Sequence, residues 1–146
     1  MNQKKTSKNT IDNTFLIESF FEDTKLIGVI CPSAYYTFIS QIQQGLGYNF
    51  KRNHDYEINY DNQFFPVFDY KDSIRNTEHY LYVNRIRTNY LINENPKIDF
   101  IWLMKGSIIR PEMLIQLTSI IRKMNGVINC FEFDSQQFKK RELLII

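Results

Sequence analysis

The stretches KLIGVIC (residues 25–31) and IDFIWLM (residues 98–104) are continuous apolar runs of strand length, and they decide the fold. Both contain β-branched or aromatic residues, and such runs are typical of central strands that are buried on both faces. Each run is followed by a loop and then by apolar residues at helical spacing. A strand that leads into a helix twice in 146 residues predicts a duplicated strand–helix–strand unit.

Each predicted helix has one apolar face and ends near a glycine. The first apolar face contains Tyr35, Phe38, Ile39, Ile42 and Leu46. The second contains Met113, Leu114, Leu117, Ile120, Ile121 and Met124. Gly47 suits the left-handed residue that follows the first helix, and Gly126 closes the second. Strands are predicted to follow, so that residues 26–58 and 100–133 form two βαβ units.

Two βαβ units in one chain predict an α+β, ferredoxin-like sandwich, with a mostly antiparallel sheet and helices on one face. Residues 63–90 lie between the units and predict an inserted β-hairpin region, since part of this stretch alternates with a period of two. A doubly wound parallel sheet would need helices on both faces, and two helices are too few. We expect a single domain over residues 15–146 after a disordered basic tail at residues 1–14. Residues 15–22 fit either a short helix or an edge strand.

The composition is that of an ordinary globular domain, with 43% apolar and 23% charged residues. The net charge of +2 arises in residues 1–14, so nothing in the remaining chain demands a concentrated basic face for nucleic acid. No run of eighteen apolar residues occurs, and we therefore expect no membrane span and no membrane partner. Cys31 and Cys130 lack metal-ligand spacing, which favours reduced, buried thiols in a cytoplasmic protein.

Residues 92–100, INENPKIDF, resemble the signature of the IPExxxVDY family, small uncharacterised proteins of Bacteroidetes. The positions that match or are conservatively replaced are Ile92, Glu94, Ile98, Asp99 and Phe100, whereas Asn93 stands where the family has proline. The resemblance covers about residues 24–146 and implies a cytoplasmic bacterial protein without an assigned activity. We expect structural roles for Asp99 and Glu94, because an aspartate at the head of a buried strand can cap the preceding turn.

The sequence predicts no catalytic, cofactor-binding or metal-binding residue. Its five glycines form no phosphate-binding loop. His54 and His79 lie in strand-like segments, where we expect solvated side chains rather than metal ligands. We therefore predict a protein that is not an enzyme and needs no cofactor. An enzyme of an unrecognised class would need a pocket that combines His79 or Asp99 with a second polar group.

The remaining prediction is a binding protein that contacts another protein or a second copy of itself. The predicted contact surface combines the inserted strands with the aliphatic end of the chain: Tyr80, Tyr82, Arg85, Arg87, Leu143 and Ile146. Four final aliphatic residues need burial in the chain's own core or in a partner. The alternative is an RNA-binding accessory protein that stacks bases on the aromatic side chains, although acidic residues interleave with them.

Overall fold

A six-stranded antiparallel sheet forms the centre of the structure, a computed structural model that describes residues 13–94, 96–106 and 109–146. Its strands are β1 Thr24–Ile30, β2 Lys51–Arg52, β5 Val67–Asp72, β6 Thr77–Val83, β9 Phe100–Lys105 and β10 Asn129–Phe133. Their spatial order is β10-β1-β9-β6-β5-β2. Two smaller sheets pair β3 Ile58–Tyr60 with β4 Gln63–Phe65, and β7 Arg85–Ile86 with β8 Asn89–Tyr90.

Helices and short 3₁₀ turns surround this sheet. The helices are α1 at residues 13–21, α2 Tyr35–Leu46 and α3 Pro111–Arg122. The 3₁₀ turns are His54–Tyr56, Ser135–Gln137 and Arg141–Leu144. None of the helices within the described ranges has the length and apolar character needed to cross a membrane.

The two apolar runs form β1 and β9, which pair side by side in the middle of the sheet. Their side chains are buried on both faces, with Ile27 opposite Trp102 and Gly28 opposite Ile101. A Cβ at Gly28 would lie 3.2 Å from both the Ile98 and Phe133 side chains. The glycine therefore lets two bulky groups close over the centre of the strand pair.

The sheet has an apolar core on each face. On the first face, α2 and α3 pack on β1, β6 and β9 through residues such as Phe38 and Leu117. On the second face, Phe21 of α1, the two small sheets and the C-terminal turns cover Leu26, Tyr82 and Ile101. The prediction of helices on one face holds for α2 and α3, whereas α1 lies on the opposite face.

The structure has the predicted α+β architecture and antiparallel sheet, but its strand order is not a simple pair of βαβ units. The strand after α2 is β2, which lies at the far edge. The predicted insert contains a hairpin, formed by β5 and β6, and this hairpin is part of the central sheet. Residues 13–21 are helical, which decides between helix and strand for that region. The rest of the predicted tail, residues 1–12, lies outside the described residues.

His79 is buried in the first face of the sheet and is not solvated as expected. The Trp102 indole N–H donates to its Nδ1 at 3.0 Å, so Nδ1 is an acceptor and Nε2 carries the proton. Nε2 lies 3.2 Å from the Thr77 hydroxyl, and the Tyr48 and Tyr70 rings pack beside the imidazole. Burial lowers the pKa of His79 to about 4, and the ring is neutral at physiological pH.

We predict that acid destabilises the fold through His79. The unfolded chain binds a proton near pH 6.5 and the folded chain only near pH 4, so stability falls as pH drops through this window. The expected contribution is about 3 kcal/mol between pH 7 and pH 4. Urea unfolding measured across this range tests the prediction by comparing the wild type with His79→Gln.

We expect the His79→Gln variant to be less stable than the wild type at pH 7, but its free energy of unfolding should fall less steeply as the pH drops. Replacement of the exposed His54 by Gln should leave the wild-type slope unchanged. Parallel curves for the wild type and His79→Gln between pH 6.5 and pH 4 would contradict the prediction.

Candidate functional site

Tyr80 and Tyr82, predicted to form part of an exposed surface, are 5% and 0% exposed. The Tyr82 hydroxyl donates to the Leu144 carbonyl, and the Tyr80 hydroxyl donates to Glu78 Oε1 at 2.7 Å. Burial raises the pKa of both phenols. Neither ring can contact a partner in the folded chain, because α1 and the C-terminal turns cover this face of the sheet.

The aliphatic end of the chain packs largely on its own core. Leu144 is fully buried, and Leu143 and Ile146 are partly buried against the same core. Ile145 is the more exposed member of the group. The predicted contact surface therefore loses most of its apolar area at this end.

Arg85 holds a structural ion pair and carries little free surface. Its guanidinium binds the Asp99 carboxylate, the Pro32 carbonyl at 3.2 Å and the Arg87 carbonyl at 3.1 Å. The other oxygen of Asp99 accepts the Cys31 backbone N–H at 2.6 Å. Asp99 thus caps the end of the neighbouring strand β1 rather than the preceding turn. Arg87 is exposed, on a backbone with φ of 57°.

Ile92 and Ile98 are held in place by the buried amide of Asn84, which the sequence did not predict. The side chain of Asn84 donates to the carbonyls of Ile92 and Ile98, at 3.0 and 2.8 Å, and accepts the Ile92 N–H at 2.8 Å. Glu94 Oε1 accepts the Lys139 backbone N–H at 3.0 Å and so ties this segment to the C-terminal turns. Asn84 comes directly after the apolar residues 81–83, and this position is the sequence signal for the anchor.

Both cysteine thiols are buried inside the protein. Burial raises the pKa of the Cys130 thiol to about 12, which leaves it protonated and unreactive. Cys31 is also buried. In the described part of the chain, no three His, Cys, Asp or Glu side chains are grouped closely enough to hold a metal ion.

An acidic groove runs between α1 and the Ser135–Gln137 turn. It consists of two adjoining hollows of about 670 and 470 Å³, which share residues such as Phe21 and Ser135. Apolar side chains from Phe21, Leu26 and Phe133 line it. Its carboxylates are Glu18, Glu22, Glu132 and Asp134, and its cations are Lys25 and Arg141. We call this surface the acidic groove.

The β10 edge beside the groove is partly closed. The Cys130 N–H donates to Asn129 Oδ1, and its carbonyl accepts from Arg122 Nε, both at 2.8 Å. Backbone groups two residues apart in a strand point to the same side, so those of Glu132 face the free edge as well. The edge is therefore blocked at Cys130 and accessible next to the acidic groove.

We predict that Asn84→Ala destabilises the fold by about 3 kcal/mol, because it leaves two carbonyls and one N–H buried without a partner. Chemical denaturation of the folded chain measures this loss. Asn89→Ala is the matched control, since Asn89 is exposed and makes one long bond of 3.4 Å to Gln63. Equal stability of the two variants would show that Asn84 is not an anchor.

Protein-family models and curated proteins were both compared with this chain, and neither comparison produced a match. The similarity of residues 92–100 to the IPExxxVDY signature therefore stays a prediction. The residues that carry it pack or form hydrogen bonds inside the fold: Ile92, Glu94, Ile98, Asp99 and Phe100.

Proposed function

We propose that this protein is a binding protein that takes an extended basic segment of another protein into the acidic groove. One observation carries the proposal: four carboxylates line a groove that the exposed Phe15 ring and the half-buried Phe133 ring also line. The two rings can contact an apolar side chain, and the carboxylates suit Lys or Arg residues beside it. A partner with this pattern fits both the shape and the charge of the groove.

The groove is negatively charged, although residues 15–146 as a whole carry no net charge. Four carboxylates face two cations, and one of these cations, Arg141, is already engaged. Its guanidinium lies 5.3 Å from the centre of the Phe21 ring and donates to the Ser135 hydroxyl at 3.3 Å. A cationic partner would be attracted toward the groove before contact, with an association rate that depends on salt.

The accessible part of the β10 edge supports an extended form for the partner. Glu132 and Phe133 line the groove, and the backbone of Glu132 faces the free side of the sheet. An extended peptide could bond to this backbone while its side chains enter the groove, as in other cases of strand addition. The backbone N–H and carbonyl of Cys130 are already bonded to side chains and cannot pair with a partner, so the added strand would be short.

We also propose a relationship to the ferredoxin-like sandwich. The neighbouring strands β10-β1-β9-β6 have the spatial order and alternating directions of its four-strand sheet, and two of the connections pass through α2 and α3. In this interpretation β5 and β2 extend one edge of the sheet. The RNA-binding alternative receives less support, because Tyr80 and Tyr82 are not available for base stacking.

A display library of random twelve-residue peptides tests the proposed function with the full chain as bait. We expect enrichment of peptides in which Leu or Phe is flanked by Lys or Arg, and affinities that fall at least tenfold between 50 and 500 mM salt. A double charge reversal in the groove, Glu22→Lys with Glu132→Lys, should weaken the selected peptides at least tenfold.

The matched control reverses two exposed carboxylates outside the groove, Asp55→Lys with Glu112→Lys, and should weaken binding by less than threefold. The two double variants have the same net charge, so the comparison separates a local contact from general attraction. Equal losses in both, or a library without enrichment, would overturn the proposal. Dimerisation that the groove variants abolish would instead assign the groove to a second copy of the chain.

A further inference from the structure

A second concave surface lies on the same face of the sheet, between the small sheets and the C-terminal turns. This cleft of about 350 Å³ is lined by two aromatic rings, two carboxylates and two ammonium groups: Tyr60, Tyr90, Asp61, Glu94, Lys139 and Lys140. Its volume is that of a small-molecule site. We call it the tyrosine cleft, and the proposed peptide groove does not account for it.

Glu94 lines this cleft and has an unused hydrogen-bond acceptor. Its Oε1 accepts the Lys139 N–H, whereas its Oε2 is buried and has no hydrogen-bond partner within the described residues. A buried carboxylate oxygen without a donor is costly, and such a group in a folded protein calls for a ligand or another donor. The last torsion of a glutamate is soft, so a ligand can draw Oε2 toward the cleft by a rotation that also shifts the Oε1 bond to Lys139.

The remaining groups of the cleft favour a ligand that is flat at one end and anionic at the other. The ammonium of Lys140 donates to the Tyr60 hydroxyl and lies 5.1 Å from the centre of that ring. Lys97, beside the cleft, donates to Asn93 Oδ1 and lies 5.1 Å from the centre of the Tyr90 ring. Together with Lys139 these cations outnumber Asp61 and Glu94, so the cleft favours an anionic group over an amine. An anionic group of the ligand can bind the lysine ammonium groups, and an aromatic ring of the ligand can stack on a tyrosine.

We propose that the tyrosine cleft binds a purine mononucleotide whose base carries adjacent N–H donors, as guanosine 5′-monophosphate does. The guanine edge donates to the Glu94 carboxylate, the ring stacks on Tyr60 or Tyr90, and the phosphate binds Lys139 and Lys140. Adenine has an acceptor where guanine has the N1–H, so the carboxylate of Glu94 would repel it. Base edge, ring and phosphate each match a group already present in the cleft.

Calorimetric titration of the full chain tests this proposal with guanosine 5′-monophosphate, adenosine 5′-monophosphate and guanosine as probes. We expect the first to bind at least tenfold more tightly than either of the other two, since they lack the donor edge or the phosphate. A short 5′-phosphorylated RNA that begins with guanosine distinguishes a free nucleotide from a strand end. Tighter binding of this RNA than of the mononucleotide would overturn the proposal in favour of an RNA end.

Glu94→Gln should reduce the preference for the guanine nucleotide over the adenine nucleotide at least tenfold. The new side chain retains Oε1 as an acceptor for the Lys139 N–H, so we expect a folded variant, which circular dichroism checks. Glu112→Gln, on the exposed first turn of α3, is the matched control and should keep the preference.

Lys140→Ala gives an independent measurement if Glu94→Gln does not fold. It should weaken the guanine nucleotide at least fivefold and leave guanosine affinity nearly unchanged, because the two probes differ only in the phosphate. Absence of binding at millimolar nucleotide, or an unchanged preference in Glu94→Gln, would overturn the proposal. The double reversal Glu22→Lys with Glu132→Lys lies in the acidic groove and should leave nucleotide binding intact, so the two proposals fail separately.

Discussion

The pairing of β1 with β9 is the interaction on which the rest of the structure depends. Both strands are apolar on both faces, and burial of a large apolar side chain contributes about 1.5–3 kcal/mol. Neither face can be left to water, so the chain has to provide a covering layer on each side of the sheet. The helices α2 and α3 provide one layer with regular apolar faces. The other layer has to come from shorter and less regular segments.

This second layer is built from α1, two small sheets and the turns near the end of the chain. Short segments bury little area each, and polar anchors hold them in place: Asn84 holds segment 92–98, Glu94 holds Lys139, and the Tyr82 hydroxyl holds Leu144. Irregular segments also leave concave gaps where they meet. The acidic groove and the tyrosine cleft are both gaps of this kind, which is why both proposed functions belong to the same layer.

Local patterns were sufficient for the elements that have strong periodicity. The strands β1 and β9 and the helices α2 and α3 were predicted, because continuous apolar runs and helical apolar faces each reflect one dominant burial pattern. The position of β2 at the far edge was not predicted, since local sequence does not encode a strand's neighbours. Tyr80 and Tyr82 were predicted to form a contact surface and His79 to be solvated, although neighbouring residues of a strand point to opposite faces. The local alternation does not reveal that a layer covers each face. In this structure both faces of the central sheet are buried.

The candidate sites could not have been predicted by the same reasoning. Glu18 and Asp134 lie on the same groove but far apart in sequence, and only the docking of α1 beside β10 brings them together. Glu94 was recognised within the 92–100 motif, and its structural bond to the C-terminal turns agrees with the expected role. The unpaired second oxygen of Glu94 could not be predicted, because its lack of a hydrogen-bond partner depends on the side chains that pack around it.

The bonds that Arg122 and Asn129 make to Cys130 bear on how copies of this chain behave when crowded together. An antiparallel sheet with two open edges is a template that can grow without limit into fibrils. Here one edge is the two-residue strand β2, and the other is interrupted in β10 by the chain's own side chains. These two edges discourage continuous edge-to-edge addition of sheets, whereas the open part of β10 can still pair with a single short strand. The same interruption limits self-assembly and restricts the length of what the edge can accept.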